Sequence, residues 1–516
     1  MYNIHFVIKY HKLFLIFVFA NTQIMKKLLL LSSLLFIFAQ GFSQSSKNRN
    51  EIYYEIFIRS FCDSNKDGIG DINGIRQKLD YLQNLGITGI WITPIHPSPT
   101  YHKYDVVDYF GIDKEYGTIE EYKLLVKEAH AKGIKVLIDL VVNHTSSEHP
   151  WFIASCKNDP KYKDFYVWSK TENGNNWHKN PLNPNEKYFA FFWEKMPDLN
   201  FDNKEVREEV KKIGRYWIND IGVDGYRIDA AQHVYEPNDT VRNTIWWTEF
   251  RNGLLKINPN VYLLGEVWNK DSIVATYFKS SLDGCFNFDL SKAIIQCVEK
   301  NDASNFVSTL QSIHQLYQSY NPNFRDVIFI SNHDQDRYRS TFNGDSAKTK
   351  LAFAMLITLP GIPFLYYGEE VGMLGKSPDE FRREPFLWSK NDAGNTTWEK
   401  PKYSTSQSVG YLDEQMKDKN SFYSFYKSMI GFRKENPILS EGEIKPYLIA
   451  GQSKGLIAYQ FINQQKSCYV FHNVSPETIS IYLPEFKNKS VTGFNGASFS
   501  TNGTFVLKPY STIIIK

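Results

Sequence analysis

From Glu51 onward the chain alternates strand-like and helix-like segments, and no other feature limits its fold so sharply. "IYYEIFIRSF" (52–61) has the β-branched and aromatic content of a strand. "GIRQKLDYLQNLG" (74–86) has helical apolar spacing and ends at a glycine. The pattern repeats through "TGIWITPI" (88–95), "IEEYKLLVKEAHAKG" (119–133) and "KVLIDLVVNH" (135–144). It resumes with "EVREEVKKIGRYWINDIG" (205–222), "VDGYRIDA" (223–230), "VYLLGEVW" (261–268), "VIFISNHD" (327–334) and "GIPFLYYGEE" (361–370). "KSMIGFRKENP" (427–437) closes the series at a proline. Such alternation predicts an α/β fold, a parallel sheet covered by helices. About eight units favour a closed (β/α)8 barrel over an open sheet.

Two stretches break the rhythm. The aromatic, Asn- and Lys-rich segment after the third strand is too long for a loop and predicts a small inserted domain over 145–203. After about Leu439 the helical pattern stops, and "KGLIAYQFI", "SCYVFHNV", "TISIYL" and "STIIIK" read as short strands of an antiparallel β-sandwich over 437–516. The barrel is then expected over 44–144 and 204–436. A chain of 516 residues with 42% hydrophobic content is too long for one ordinary domain and ample for a large core. Its 37 Phe, 32 Tyr and 11 Trp supply such a core, with rings to spare for lining a binding cleft.

The first acidic residue is Glu51, and before it stands "MKKLLLLSSLLFIFAQGFSQ", starting at Met25. Two lysines, a short apolar run and the small residues Gly41 and Ser43 make a secretory signal peptide, with cleavage expected after Ser43. Residues 1–43 are read as that peptide with an upstream extension, and Met25 as a candidate true start. The expected location is outside the cell or in the periplasm, with no integral membrane segment in the mature chain. Without residues 1–43, 55 cations face 56 acids, a balance that suggests no nucleic-acid partner. A monomer is expected. The five cysteines (62, 156, 285, 297 and 468) show no zinc spacing and no disulfide framework.

Functional groups of such a barrel gather at the C-terminal ends of the strands. Asp139, Asn143 and His144 end the third strand-like run, Arg227 and Asp229 the fourth, Glu266 the fifth, and His333 and Asp334 the seventh. One acid after a strand is usually a turn former or helix cap. Four runs delivering acids and imidazoles to one rim are harder to explain that way. Strand alternation puts Arg227 and Asp229 on one face, where the cation favours an ionised Asp229. An ionised carboxylate facing a protonated Glu266 is the pairing that glycosidic cleavage with retention requires.

These residues resemble the α-amylase family, glycoside hydrolase family 13, from about Glu51 to the end of the chain. The signatures stand in order: "DLVVNH" (139–144), "GYRIDAAQH" (225–233), "GEVW" (265–268) and "SNHDQD" (331–336), with "MPDLN" (196–200) as a fifth. The resemblance implies Asp229 as nucleophile, Glu266 as acid/base and Asp334 as the third carboxylate. It places Arg227, His144 and His333 at the sugar nearest the scissile bond, Tyr104 as the ring stacking on it, Asp105 beside that ring, and Arg383 of "RREPFLW" (382–388) with the substrate-binding residues. The family often has glycine where this chain has Lys103. "MPDLN" is similar to an intermediate group between oligo-1,6-glucosidases and neopullulanases that includes bacterial α-amylases. Ala230, rather than valine, follows the nucleophile and speaks against α-1,6 specificity. The expected activity is retaining, endo-acting hydrolysis of α-1,4 bonds in starch and maltodextrins. A neopullulanase or cyclomaltodextrinase, an α-glucosidase, and a non-catalytic glycan-binding protein stay as alternatives.

"DSNKDGIGD" (63–71) sets Asp63, Asn65, Asp67, the Ile69 carbonyl and Asp71 at calcium-loop positions, with Gly68 at the turn. The twelfth position is Gly74, so this is not a complete EF-hand. Ca2+ is expected there. The resemblance implies a second calcium on Asn143, Asp198 and the carbonyl of His233.

Overall fold

The first three strands are β1 (Tyr53–Ile56), β2 (Gly89–Ile92) and β3 (Lys135–Leu140). The chain then leaves for β4 (Trp168–Ser169), β5 (Trp177–Asn180) and β6 (Asn183–Phe189). It returns with β7 (Gly225–Ile228), β8 (Tyr262–Gly265), β9 (Gly284–Phe286), β10 (Arg325–Ile328) and β11 (Ile362–Tyr366). β1–β3 and β7–β11 pair in parallel and close into a barrel, with β11 returning to β1. β4–β6 form a separate antiparallel sheet between β3 and β7. This computed structural model describes residues 50–463, 466–500 and 502–516, so the expected signal peptide lies outside the described residues.

Alternation along the strands sorts the core into two layers. Tyr53, Trp91, Leu137, Tyr262, Leu264, Phe286, Val327, Phe329, Ile362 and Phe364 fill the inside of the barrel with Phe288. Tyr54, Ile90, Ile138, Tyr226, Ile228 and Leu263 face the surrounding helices. Each buried aliphatic side chain contributes about 1.5–3 kcal/mol. Strand contacts are close enough to demand glycine at Gly225, where a Cβ would lie 1.9 Å from the Tyr262 carbonyl oxygen.

The helices follow their sequence signals with two departures. Thr118 and Glu121 form a capping box for Ile119–Ala131. The expected helix over 74–86 is two pieces, Ile72–Gln77 and Leu79–Leu85. Between them Lys78 pairs with Asp392 (3.1 Å) and lies over the Trp388 ring. The helix Lys204–Tyr216 passes into a wider turn at Trp217–Ile221 before Gly222, whose φ of +89° ends it. The sixth barrel strand, β9, has three residues, too few to show any period.

The tail holds two antiparallel sheets. β12 (Glu443–Pro446), β13 (Leu456–Ile462), β14 (Ser467–Asn473), β16 (Val491–Phe494) and β19 (Thr512–Ile515) make one, and β15 (Ile479–Tyr482), β17 (Ser498–Phe499) and β18 (Thr504–Leu507) the other. Phe471, Ile481, Phe505, Leu507 and Ile513 share the apolar cluster between them. All five cysteines are free and buried. Among the described residues no helix is long and apolar enough to cross a membrane.

Candidate active site

The registers β3–β7 and β7–β8 put Asp139, Arg227 and Leu264 side by side, facing into the barrel. Arg227 is 1% exposed, which rules out an ordinary surface ion pair. Its Nη1 lies 2.6 Å from Asp229 Oδ1 and 3.1 Å from Asp139 Oδ1, and its Nη2 lies 3.0 Å from Glu266 Oε2. One guanidinium therefore touches three carboxylates from three strand ends. The Trp91 ring lies beneath it, 4.9 Å from the guanidinium carbon, and the indole N–H donates to Asp139.

Glu266 is held by two donors on the same oxygen: Arg227 and the main-chain N–H of Ala230 at 3.0 Å, both to Oε2. Ala230 has a φ of +45°, a conformation uncommon outside glycine. Burial pushes the Asp229 carboxyl up; Arg227 opposes this, but Glu266 and Asp139 add their repulsion, and the balance stands at about 8. Burial likewise lifts Asp139 to about 6 against the pull of Arg227. The pull of Arg227 does not outweigh burial and the two neighbouring carboxylates at Asp229. Asp139 and Asp229 are both raised beside one shared cation, so their titration belongs to the coupled pair and not to either residue alone.

Asp334 stands apart from that set. Its oxygens take Arg383 (2.9 Å) and His333 (3.1 Å). Burial pushes its carboxyl up, but the His333 and Arg383 charges win and hold it well below the usual range. His333 in turn lies 2.6 Å from Glu55 on β1. Burial disfavours its charge, yet Asp334 and Glu55 together raise it to about 10, so it is an imidazolium at neutrality. Tyr104 lies parallel to the His333 ring at 5.5 Å, and its hydroxyl meets His333 Nε2 (2.7 Å) and Asp139 (3.2 Å). His144 is buried, which lowers its pKa to about 4, and its Nε2 meets the Tyr104 carbonyl at 3.2 Å.

Two further expected residues are buried among protein partners. Asp105 is fully buried, and its Oδ1 takes the hydroxyls of Ser98 (2.6 Å) and Thr100. Arg383 is buried as well; it reaches Asp334, the His333 carbonyl and the Tyr101 hydroxyl. Asp105 Oδ2 has no hydrogen-bond partner among the described residues. Sequence reasoning passed over Glu55, Trp91 and His102. An acid or an indole in an otherwise apolar strand was the only signal for the first two.

Aromatic rings continue the wall beyond the acids. Trp268, two residues after Glu266, is 52% exposed and stacks on Phe288 at 4.4 Å. Phe192, from the inserted segment, packs against both His144 and His233 and is partly exposed with Phe191 and Trp193.

Two places offer oxygen donors for a hard cation. In the loop 63–71, Asp63 accepts the N–H groups of Asn65, Lys66 and Gly68, Asn65 accepts Asp67, and Asp67 accepts Ile69. Asp71 accepts Ser64 and Gly74 and caps the next helix. Positive φ at Lys66 and Gly68 coils the loop, and the Gly68 carbonyl is gripped by the N–H groups of Thr397 and Trp398. The donor set is all oxygen and fits calcium chemically. Among the described residues no three His, Cys, Asp or Glu side chains gather as a metal cluster, so a cation here would also need Asn65 and main-chain carbonyls. At the second place Asn143 donates to Asp198 at 3.2 Å, while buried Asn143 Oδ1 has no hydrogen-bond partner. Burial lifts Asp198 to about 7. An orphaned oxygen beside a desolvated carboxylate fits a cation.

Residues 55–442 match the model described as "Alpha amylase, catalytic domain". The chain is 44% identical to "Alpha-amylase 3" of Dictyoglomus thermophilum, covering 91% of this chain and 93% of that one. It is 36% identical to a "4-alpha-glucanotransferase" of Thermotoga neapolitana, covering 82% and 96%. The solved structure of an α-amylase from H. orenii superposes with a TM-score of 0.82 at 37% identity, covering 90% of this chain and 99% of that one.

Proposed function

This chain belongs to the α-amylase family, glycoside hydrolase family 13, and on that premise we propose that it is a retaining, endo-acting hydrolase of α-1,4-glucosidic bonds in starch and maltodextrins. The observation that carries the proposal is Arg227, which bridges Asp229 and Glu266 and leaves one oxygen of each without a protein hydrogen bond among the described residues. Asp229 Oδ2 is the attacking atom. Glu266 Oε2 is fixed as an acceptor by Arg227 and the Ala230 N–H, which leaves Oε1 to deliver a proton to the leaving oxygen.

In the first step Asp229 bonds to the anomeric carbon as that carbon's bond to the leaving oxygen breaks, and Glu266 gives its proton to that oxygen. In the second, Glu266 takes a proton from water, the hydroxide attacks the anomeric carbon, and Asp229 leaves as carboxylate. Asp334 and His333 hold the hydroxyls of the sugar being distorted, and Tyr104 covers its face. Arg227 compensates the charge that moves between the acids. Exposed rings near the acids, Phe192 and Trp268, suit a glucan extending past the scissile bond. This extent supports endo action over the single-sugar pocket of an α-glucosidase.

The proposal includes calcium in the loop 63–71, a second calcium on Asn143, Asp198 and the His233 carbonyl, and export by residues 1–43. These ions would lock the loop and the junction of the inserted segment. Reducing-sugar release from soluble starch tests the reaction, and product lengths from maltoheptaose test endo action. Internal cleavage to maltose and maltotriose is expected; glucose alone from the first turnover would favour an α-glucosidase. Transfer of glycosyl units without net reducing-sugar release would favour a glucanotransferase.

A further inference from the structure

Residue 103 has a φ of +64°, in the left-handed region where a Cβ crowds the next carbonyl and glycine is usual. A lysine stands there, and its side chain is only 4% exposed. Its ammonium lies 2.8 Å from Asp113 Oδ2, 2.8 Å from Glu115 Oε2 and 3.3 Å from the Ser98 carbonyl. Three acceptors match its three N–H groups. A buried ammonium is costly unless paired, and this one has two carboxylates. Glu115 is shared with Arg59 at 2.8 Å. Burial pushes the Glu115 carboxyl up, but the hydrogen bonds from Lys103 and Arg59 win and hold it below its usual value.

The residues on either side of Lys103 are His102 and Tyr104. His102 Nδ1 takes the N–H of Tyr104 (3.1 Å) and lies 3.2 Å from the Thr100 hydroxyl. Asp113, the lysine's partner, also accepts the N–H of Ser98 at the start of the loop (3.2 Å). Tyr116, whose ring lies 5.6 Å from the ammonium, donates its hydroxyl to the Tyr101 carbonyl (3.3 Å). The same network runs on to the third carboxylate. Arg59 lies over Trp398, Trp398 stacks on Tyr101 at 5.3 Å, and the Tyr101 hydroxyl accepts from Arg383, which holds Asp334.

We infer that Lys103 is a positioning residue: its buried ammonium ties the loop 98–105 to Asp113 and Glu115, and so fixes Tyr104 and His102 over the sugar beside the scissile bond. The inference rests on the glucan-hydrolase reading for its catalytic meaning, but its structural half stands alone. Lys103 touches no substrate. Its strained backbone is held by the anchor its side chain makes. A glycine at this position would relax the backbone and leave the loop untied.

The test uses the full chain and the variants Lys103→Met, Lys103→Gly and Lys103→Arg. Affinity for a one-sugar cyclic iminosugar, a mimic of the charged transition state, is measured by calorimetry, and amide exchange over 98–105 by mass spectrometry. Expected for Lys103→Met is an affinity about 10-fold weaker at unchanged stoichiometry, with faster exchange confined to the loop. A purely structural lysine would instead lower the folded fraction and the stoichiometry while leaving the affinity of folded molecules intact. Lys103→Arg, which keeps the charge, should recover most of the affinity. If Lys103→Met does not fold, Lys103→Gly, free of backbone strain, decides. Wild-type affinity and wild-type loop exchange in Lys103→Gly would overturn the inference. A wild-type protein that neither cleaves starch nor binds the iminosugar counts against the hydrolase reading, and the exchange measurement still decides the role of the lysine.

Discussion

The main-chain N–H of Ala230 lies 3.0 Å from Glu266 Oε2, so the residue that follows Asp229 holds the acid delivered by the neighbouring strand. The φ of +45° at Ala230 turns the chain sharply at the rim. Strain of this kind persists only where surrounding structure over-determines it, and it concentrates at functional sites. The two acids are thus joined twice, through Arg227 and through the backbone.

That joint makes the pH profile a property of the set. The reaction needs one proton on Asp139, Asp229 and Glu266 together, and it must sit on Glu266. Activity should fall on the alkaline side as this proton leaves and on the acid side as a second binds. Asp139→Asn removes a negative neighbour that raises Asp229. The remaining proton should then leave more easily, and the alkaline limb of kcat/KM should move to lower pH by roughly half to one unit. An unmoved limb would show that Asp139 does not share the proton.

The His333–Asp334 pair sets an opposite sign for stability. His333 is raised from its ordinary value near 6.5 to about 10 in the fold. The folded state therefore holds its proton more tightly than the unfolded chain does. The stability this gives is fully present below pH 6.5 and is lost progressively as pH rises towards 10. Asp334 is depressed, so its share is present above its unfolded pKa and lost in strong acid. The Tm difference between wild type and His333→Gln should be largest near pH 5–6 and shrink towards pH 10. A constant difference across that range would contradict the charged imidazole.

Chelation should lower Tm and added calcium should restore it. A ligand present at about 100 times its Kd stabilises by about 2.7 kcal/mol when only the folded state binds it. Asp67 is exposed and, among the described residues, its oxygens serve only Asn65 and Ile69, so Asp67→Ala should fold yet lose the shift due to the loop. Asp198→Asn should remove the shift due to the second place. A Tm indifferent to chelation in the wild type would defeat both sites.

How far the sequence carried can be judged from particular residues. Strands β1–β3, β7, β8, β10 and β11 and the helix Ile119–Ala131 were legible because apolar period and capping residues agreed with the final packing. β9 was not, because three residues carry no period. Asp139, Arg227, Asp229, Glu266 and Asp334 were legible because several strand ends carry charge together and the rim gathers it. Glu55 and Trp91 were not, because one inward residue in an apolar run looks like any other core position until the barrel closes around it. The charge balance was also hidden: Arg227 next to Asp229 suggests an ionised acid, while burial and two further carboxylates push the other way. Lys103 could be seen as unusual, but its anchor needed the fold to bring Asp113 and Glu115 beneath it.

The sharpest test concerns Asp229 and Glu266 themselves. One guanidinium spans them, with Nη1 at 2.6 Å from the first and Nη2 at 3.0 Å from the second. A pair of acids bridged so closely suits the separation of about 5–5.5 Å found in retaining enzymes, too narrow to seat a water beneath the sugar. Asp229 must then bond to the anomeric carbon. Asp229→Asn keeps the shape of the side chain but removes the nucleophile, so starch should still bind while turnover falls by about 1,000-fold or more. Glu266→Gln removes the proton donor, so its loss should be large on starch and much smaller on an α-glucosyl fluoride, whose leaving group needs no proton. Sugar freshly released by the wild type should appear first as the α-anomer in NMR spectra. First appearance of the β-anomer would mean direct attack by water and would overturn the role of Asp229 as nucleophile.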